Sequence, residues 1–142
     1  MNVTIHIDGG ARGNPGPAGA GVTIRDEQGA CLFEGGFFLG HMTNNAAEYN
    51  ALIRALQVAR TAGATRLQIF SDSELLVRQV NGDYRVKNAG LKVLFNDAAA
   101  RLRDFEDWRV RHVRREANDR ADELANQAMD AERDVVVRDL PR

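Results

Sequence analysis

At 142 residues the chain is the size of a single domain, and its 44% apolar and 27% charged content excludes disordered, collagen-like and coiled-coil architectures. Its 19 Lys+Arg against 20 Asp+Glu leave a formal net charge of -1, which excludes a global basic field; any grip on nucleic acid has to be local.

Val3, Ile5 and Ile7 alternate with Thr4, His6 and Asp8, the period of a first strand that delivers Asp8 to its carboxyl end. The same segment lacks the basic start and apolar stretch of a secretory signal. Gly9 to Pro17 is too rich in glycine and proline for a regular element. Ala20–Arg25 and Cys31–Leu39 read as two further strands around an Asp26-Glu27-Gln28-Gly29 turn. From Asn45, as N-cap, the period becomes helical: Tyr49, Leu52, Ile53, Leu56 and Ala59 share a face, and Gly63 stops the helix. Leu67–Ser71 is a short strand ending at Asp72, with Ser71 or Asp72 placed to cap a helix over Glu74–Val80. A helix over Leu91–Arg103, a strand over Trp108–Val113 and a helix over Ala117–Met129 complete the order β-β-β-α-β-α-α-β-α. That order predicts an α/β fold with a five-stranded mixed sheet flanked by helices. Residues 1–129 form the expected domain. The charged tail, 130–142, is expected to be flexible or weakly docked, with Val135-Val136-Val137 able to add a short strand at a sheet edge.

The single cysteine, Cys31, forms no intrachain disulfide, and apolar runs fall far short of the roughly 20 residues that cross a bilayer. A cytoplasmic protein with no membrane partner is the expectation.

Ligands of open α/β sheets collect at the carboxyl ends of strands. Asp8 and Asp72 sit at two such ends, and Glu48 and Asp122 are expected in the first turns of the helices beside them. Gathered carboxylates repel, so they take up protons or hold cations; hard divalent ions with oxygen ligands suit four acids best. His6, His41 and His112 show no zinc spacing, and no serine–histidine pair lies in a nucleophile elbow. Singly, each acid has a structural explanation, as a turn former, a helix cap or a partner of the helix dipole. The glycine-rich loop matches neither a Walker loop nor a dinucleotide fingerprint. It provides bare backbone beside Asp8.

Four blocks occur in order: Asp8-Gly9-Gly10-Ala11-Arg12-Gly13-Asn14-Pro15-Gly16, Thr43-Asn44-Asn45-Ala46-Ala47-Glu48, Asp72-Ser73 and Asn118-Asp119-Arg120-Ala121-Asp122. Together, over roughly residues 2–129, they resemble the type 1 ribonuclease H family. The resemblance implies the ribonuclease H-like fold and endonucleolytic hydrolysis of the RNA strand of RNA–DNA hybrids with Mg2+ or Mn2+, leaving 3′-hydroxyl and 5′-phosphate ends. In some short-loop relatives double-stranded RNA is also cut. It assigns Asp8, Glu48, Asp72 and Asp122 as catalytic, metal-binding acids acting on a pair of ions. It assigns Gly9, Gly10, Ala11, Asn14, Thr43, Asn44, Asn45 and Ser73 as substrate contacts, Thr43 toward a DNA phosphate. Short amides and backbone groups suit a wide, shallow minor groove lined by 2′-hydroxyls.

Many relatives carry a histidine in a Gly-His loop before the last aspartate. Here His112-Val113-Arg114-Arg115-Glu116-Ala117-Asn118 resembles the short-loop variant of archaeal, some bacterial and plant relatives. By simple count His112 is a candidate for that histidine; by context, the favoured reading, it ends the last strand and Arg115 is the expected auxiliary group near the scissile phosphate. Glu74 replaces a frequent amide, and no dense basic protrusion lies between Asn81 and Lys92. The expected protein is a monomer. The competing reading is a non-catalytic hybrid-binding module of the same fold, which would gain from losing acids beside phosphates.

Overall fold

The computed structural model describes residues 1–141. Strand β1 (Asn2–Ala11) turns into β2 (Gly16–Arg25), which pairs in turn with β3 (Cys31–Met42). The β2–β3 turn is held by Asp26, whose Oδ1 accepts from the N–H groups of Gln28 and Ala30 at 2.9 Å each. Helix α1 (Asn44–Thr61) follows. Its cap is Thr43, whose Oγ1 accepts from Ala46 N–H at 3.2 Å, so the expected cap at Asn45 is corrected by two residues. Gly63, at φ +82°, lets the chain leave the helix at its other end.

Strand β4 (Arg66–Ser71) lies parallel to β1, and β5 (Asp107–His112) parallel to β4. Helices α2 (Glu74–Val80) and α3 (Ala89–Leu102) connect them. A 3-10 turn over Arg115–Asn118 leads into α4 (Asp119–Ala131), and β6 (Val135–Arg138) ends the sheet in the order β5-β4-β1-β2-β3-β6.

Val3, Ile5 and Ile7 point into one core with Tyr49, Leu52 and Leu56 of α1. Tyr49 also donates its hydroxyl to Gln79 Oε1 at 2.6 Å, tying α1 to α2 inside that core. On the other face α4 buries Ala121, Leu124, Ala125 and Ala128. It lies unusually near the sheet because Gly21 and Gly36 stand beneath it: a Cβ on either would overlap the carbonyl of Ala121 or Leu124.

The expected five-stranded sheet is corrected to six. The free edge of β3 offers unpaired backbone groups, and the β-branched run Val135-Val136-Val137 is suited to meet it; Val135 and Val136 pair with Gly36 and Gly35. Asp134 reinforces the joint by accepting from Phe38 N–H at 2.9 Å. Among the described residues no helix is long and apolar enough to cross a membrane.

Candidate active site

The pairing of β1 with β4 stops at Ile7 opposite Ser71. One residue further on each strand stand Asp8 and Asp72, side by side at the ends of parallel neighbours. β1 itself continues to Ala11, now paired only with β2, and this opens a cleft of about 400 Å3 where the sheet splits.

Glu48 comes in from α1. Because that helix begins at Asn44, Glu48 sits one turn deeper than the first turn expected for it. It does not close a capping box with Asn45: its Oε1 accepts from Gly9 N–H at 3.3 Å, which aims the carboxylate at β1. Gly9 is needed here for close approach, since a Cβ would overlap the backbone of Ala47 and Glu48. Asp8, Glu48 and Asp72 bring one oxygen each within 4.8 Å of one another. Asp122, in the first turn of α4, lines the same cleft and comes within hydrogen-bonding reach of Asp8.

Asp8 and Glu48 are only 7% and 9% exposed. Burial, then the charges of Glu48 and Asp72 and the contact with Asp122, push the Asp8 carboxyl far above the usual carboxylate range. Burial and the charge of Asp72 raise Glu48 as well, against the opposing pull of the Gly9 N–H. Two unit charges at such a separation repel by about 3 kcal/mol at an effective dielectric near 20. Protons or a cation must therefore compensate the cluster.

One buried atom needs such a partner. Glu48 Oε2 is buried with no hydrogen-bond partner among the described residues, an acceptor aimed into a group of oxygens. A divalent cation would satisfy it, and an all-oxygen donor set fits magnesium or manganese. Asp8, Glu48, Asp72 and Asp122 are the residues that would hold it.

The remaining residues named from the sequence divide into groups. Gly9, Gly10, Ala11, Asn44, Asn45 and Ser73 line the cleft. Asn14 and Thr43 stand outside it, in an adjoining groove that shares Asn45. Ser73 is the cap of α2, its Oγ accepting from Leu76 N–H at 3.2 Å; this corrects the expected cap at Ser71 or Asp72 and leaves the Asp72 carboxylate free. Ala11 N–H donates to Asn44 Oδ1 at 2.7 Å, and Asn44 N–H to Asn14 Oδ1 at 3.0 Å. These bonds fasten the glycine-rich loop to the start of α1. They use the amide oxygens and leave both NH2 groups as donors.

Arg115 stands at the lip of the cleft, its side chain 85% exposed and its Nε 4.0 Å from Asp72 Oδ2. His112 ends β5 opposite Ser71 and faces a different groove, together with Glu74. Glu74 accepts from Arg78 Nε at 3.2 Å, which turns its charge away from the cleft.

Three contributors escape sequence reasoning. Arg12 and Asn126 line the cleft; Arg12 pairs with Asp130 at 2.7 Å. Asn118 is 99% removed from solvent, being 1% exposed, and donates from Nδ2 to the Ile7 carbonyl at 2.8 Å. That bond pins the start of α4 beside Asp8. The i to i+4 spacing of Asp122 and Asn126 is the available signal for Asn126; Arg12 and Asn118 lie inside the first and last of the four blocks, which assign them no role.

Residues 6–128 match the family model described as reverse transcriptase-like. Ribonuclease HI of Halobacterium salinarum is 41% identical over 128 residues, covering 90% of this chain and 64% of that protein. The chain belongs to the type 1 ribonuclease H family. The crystal structure of the Halobacterium RNase H1 superimposes with a TM-score of 0.90 at 40% identity, covering 92% of this chain and 99% of that one. The N-terminal RNase H domain of a Mycobacterium tuberculosis protein gives 0.89 at 42% identity, covering 92% and 95%. LC11-RNase H1, solved in complex with an RNA/DNA hybrid, gives 0.87 at 45% identity, covering 92% and 98%. The chain spans 64% of the Halobacterium ribonuclease H and 36% of the Mycobacterium relative.

Proposed function

We propose that this chain is a metal-dependent endoribonuclease that hydrolyses the RNA strand of RNA–DNA hybrids. The observation that carries the reading is the carboxylate cluster at the split between β1 and β4, with its unsatisfied buried oxygen on Glu48. The hybrid complex of LC11-RNase H1 supports the substrate class.

A pair of Mg2+ or Mn2+ ions, held by Asp8, Glu48, Asp72 and Asp122, would supply charge neutralisation and Lewis acidity toward the phosphodiester. The protein supplies the rest. Asp8 and Asp72, on adjacent rigid strands, set the floor against which the scissile phosphate rests. Glu48, anchored on one oxygen by the Gly9 N–H, turns the other toward the group of acids that would hold the ions and so orients the attacking water beside them, whose proton passes to solvent. Water adds to phosphorus, the P–O3′ bond breaks, and the 3′ oxygen leaves to take a proton; Arg115 neutralises charge at the exposed side. The NH2 groups of Asn14 and Asn44 and the peptide groups of Gly10 and Ala11 read the minor groove, where the 2′-hydroxyl marks RNA. Thr43, beside Asn14 in the adjoining groove, meets the DNA strand.

The test is gel analysis of end-labelled RNA paired with DNA, paired with RNA or single, with magnesium, manganese or chelator. Metal-dependent internal cuts in the hybrid are expected, with loss in Asp72→Asn. Cuts in the RNA duplex would extend the substrate class. Intact RNA from folded protein that still retards the hybrid would make the chain a binding module.

A further inference from the structure

On the side of the sheet away from α1 and α2, no helix among the described residues packs on β4 or β5, and the start of α4 reaches only as far as β1. α1 and α2 pack against the other side, and α4 covers β1, β2 and β3. The parallel registers place His6, Phe70 and Arg111 in one row across this open face, with Thr4, Gln68 and Arg109 in the next. The His6 and Phe70 rings stack with centroids 5.1 Å apart and planes 27° from parallel. Both are half-buried, so the stacked pair keeps a solvent-facing side.

Cations surround the pair. Arg109 and Arg111 are exposed on β5, and Arg25 is exposed at the end of β2, opposite Thr4. No carboxylate among the described residues pairs with Arg25, Arg109, Arg111 or Arg114. The acids of this face are themselves paired or at its end: Glu34, in the His6 row beyond Thr23, and Glu123 are held by Arg120, Glu106 is held by Arg66 at 2.7 Å, and Asp107 opens β5. Beside His6 a hollow of about 150 Å3 is lined by Arg25, Arg120 and the buried Asn118, whose Oδ1 has no partner among the described residues. From Arg111 the chain passes through Arg114 to Arg115 at the cleft lip, so a basic path joins this face to the active site.

We propose that this sheet face is a second nucleic-acid surface, which binds a single strand with a base stacked on the His6–Phe70 pair and phosphates on Arg25, Arg109 and Arg111. Single strands are held by this combination of aromatic faces and a cationic track. Guarding the β5 edge against strand addition would account for its arginines; it would not account for a half-exposed aromatic stack in the middle of the same row. A strand running on from a hybrid in the cleft would reach this face along Arg115 and Arg114.

Fluorescence anisotropy in chelator tests the proposal without cleavage, using labelled RNA and DNA single strands of about ten nucleotides at about 50 mM salt. Binding is expected for either strand. Arg109→Gln with Arg111→Gln should weaken it at least tenfold and reduce the slope of log K against log salt by about 1.4, two contacts at about 0.7 each. Phe70→Leu should weaken it at least fivefold with the slope unchanged. An unlabelled blunt hybrid should not displace the strand, and the double arginine variant should cut a blunt hybrid as the wild type does. No binding by wild type, wild-type binding by the double variant, or full displacement by blunt hybrid would overturn the proposal. If Phe70→Leu melts early, the surface arginine pair alone decides. Failure of hybrid cleavage would count against the proposed ribonuclease activity and leave this result standing, because the readout is metal-free binding.

Discussion

Asp8 illustrates how the proposed active site is held together against its own electrostatics. A carboxyl raised far above its unfolded value binds protons in the folded chain that the unfolded chain has released, so metal-free stability falls as pH rises from about 4 through neutrality. Asp8→Asn removes that penalty. Its melting temperature in chelator should exceed that of the wild type by several degrees, roughly 3–5 °C per kcal/mol regained, with a gap that widens from pH 5 to pH 9; cleavage should fall by about a thousandfold or more. An equal gap at both pH values would show that repulsion is not the cause. Magnesium should reverse the order: at about a hundred times its dissociation constant it stabilises the wild type by about 2.7 kcal/mol, and the variant by much less. Thermal melts with and without the ion measure both effects. Glu48 teaches a related lesson. Its local context reads as a helix-capping acid, and only the position of Gly9 across the gap shows that its carboxylate serves the cleft.

Among the elements, α4 carries the site's most exposed acid, and its distance from the sheet decides where Asp122 stands. Glycine at 21 permits that distance, because any Cβ there meets the Ala121 carbonyl. Gly21→Ala should therefore cost about 1–3 kcal/mol in chemical denaturation and lower cleavage by moving Asp122. Full activity with unchanged stability would show that the helix is not seated by that contact. On the opposite face, Leu52→Ala empties a fully buried position in α1 and should cost about 2–5 kcal/mol with little effect on the chemistry of molecules that remain folded. Apolar spacing made both helices legible, since a face of Tyr49, Leu52, Leu56 and Ala59 has few other uses. The caps at Thr43 and Ser73 were harder to place. Several capping residues stand in succession in each case, and the winner depends on where tertiary packing starts the helix.

Taken whole, the molecule combines near-zero net charge with a strongly acidic cleft, so the proposed hybrid binding would rest on a few local cations. With three or four phosphate contacts, affinity should fall by tens of fold between about 50 and 200 mM salt; a flat response in a filter-binding titration would refute it. The tail belongs to the sheet through β6, so truncation after Ala131 should expose the β3 edge, lower the melting temperature and promote association at high concentration, while leaving the cleft competent, since Asn126, Met129 and the Arg12–Asp130 pair are retained. Light scattering and cleavage of a short hybrid measure the two halves of that expectation.

Alternation, helical period and turn residues were enough to order the strands and helices and to single out Asp8, Glu48, Asp72 and Asp122, because those features depend on neighbours along the chain. The sixth strand, the depth of Glu48 within α1, the tether from Asn118 to Ile7 and the open basic face of β1, β4 and β5 were decided only by folding. Each depends on residues tens of positions apart meeting in one register, and pairing partners, unlike periodicity, leave no local trace.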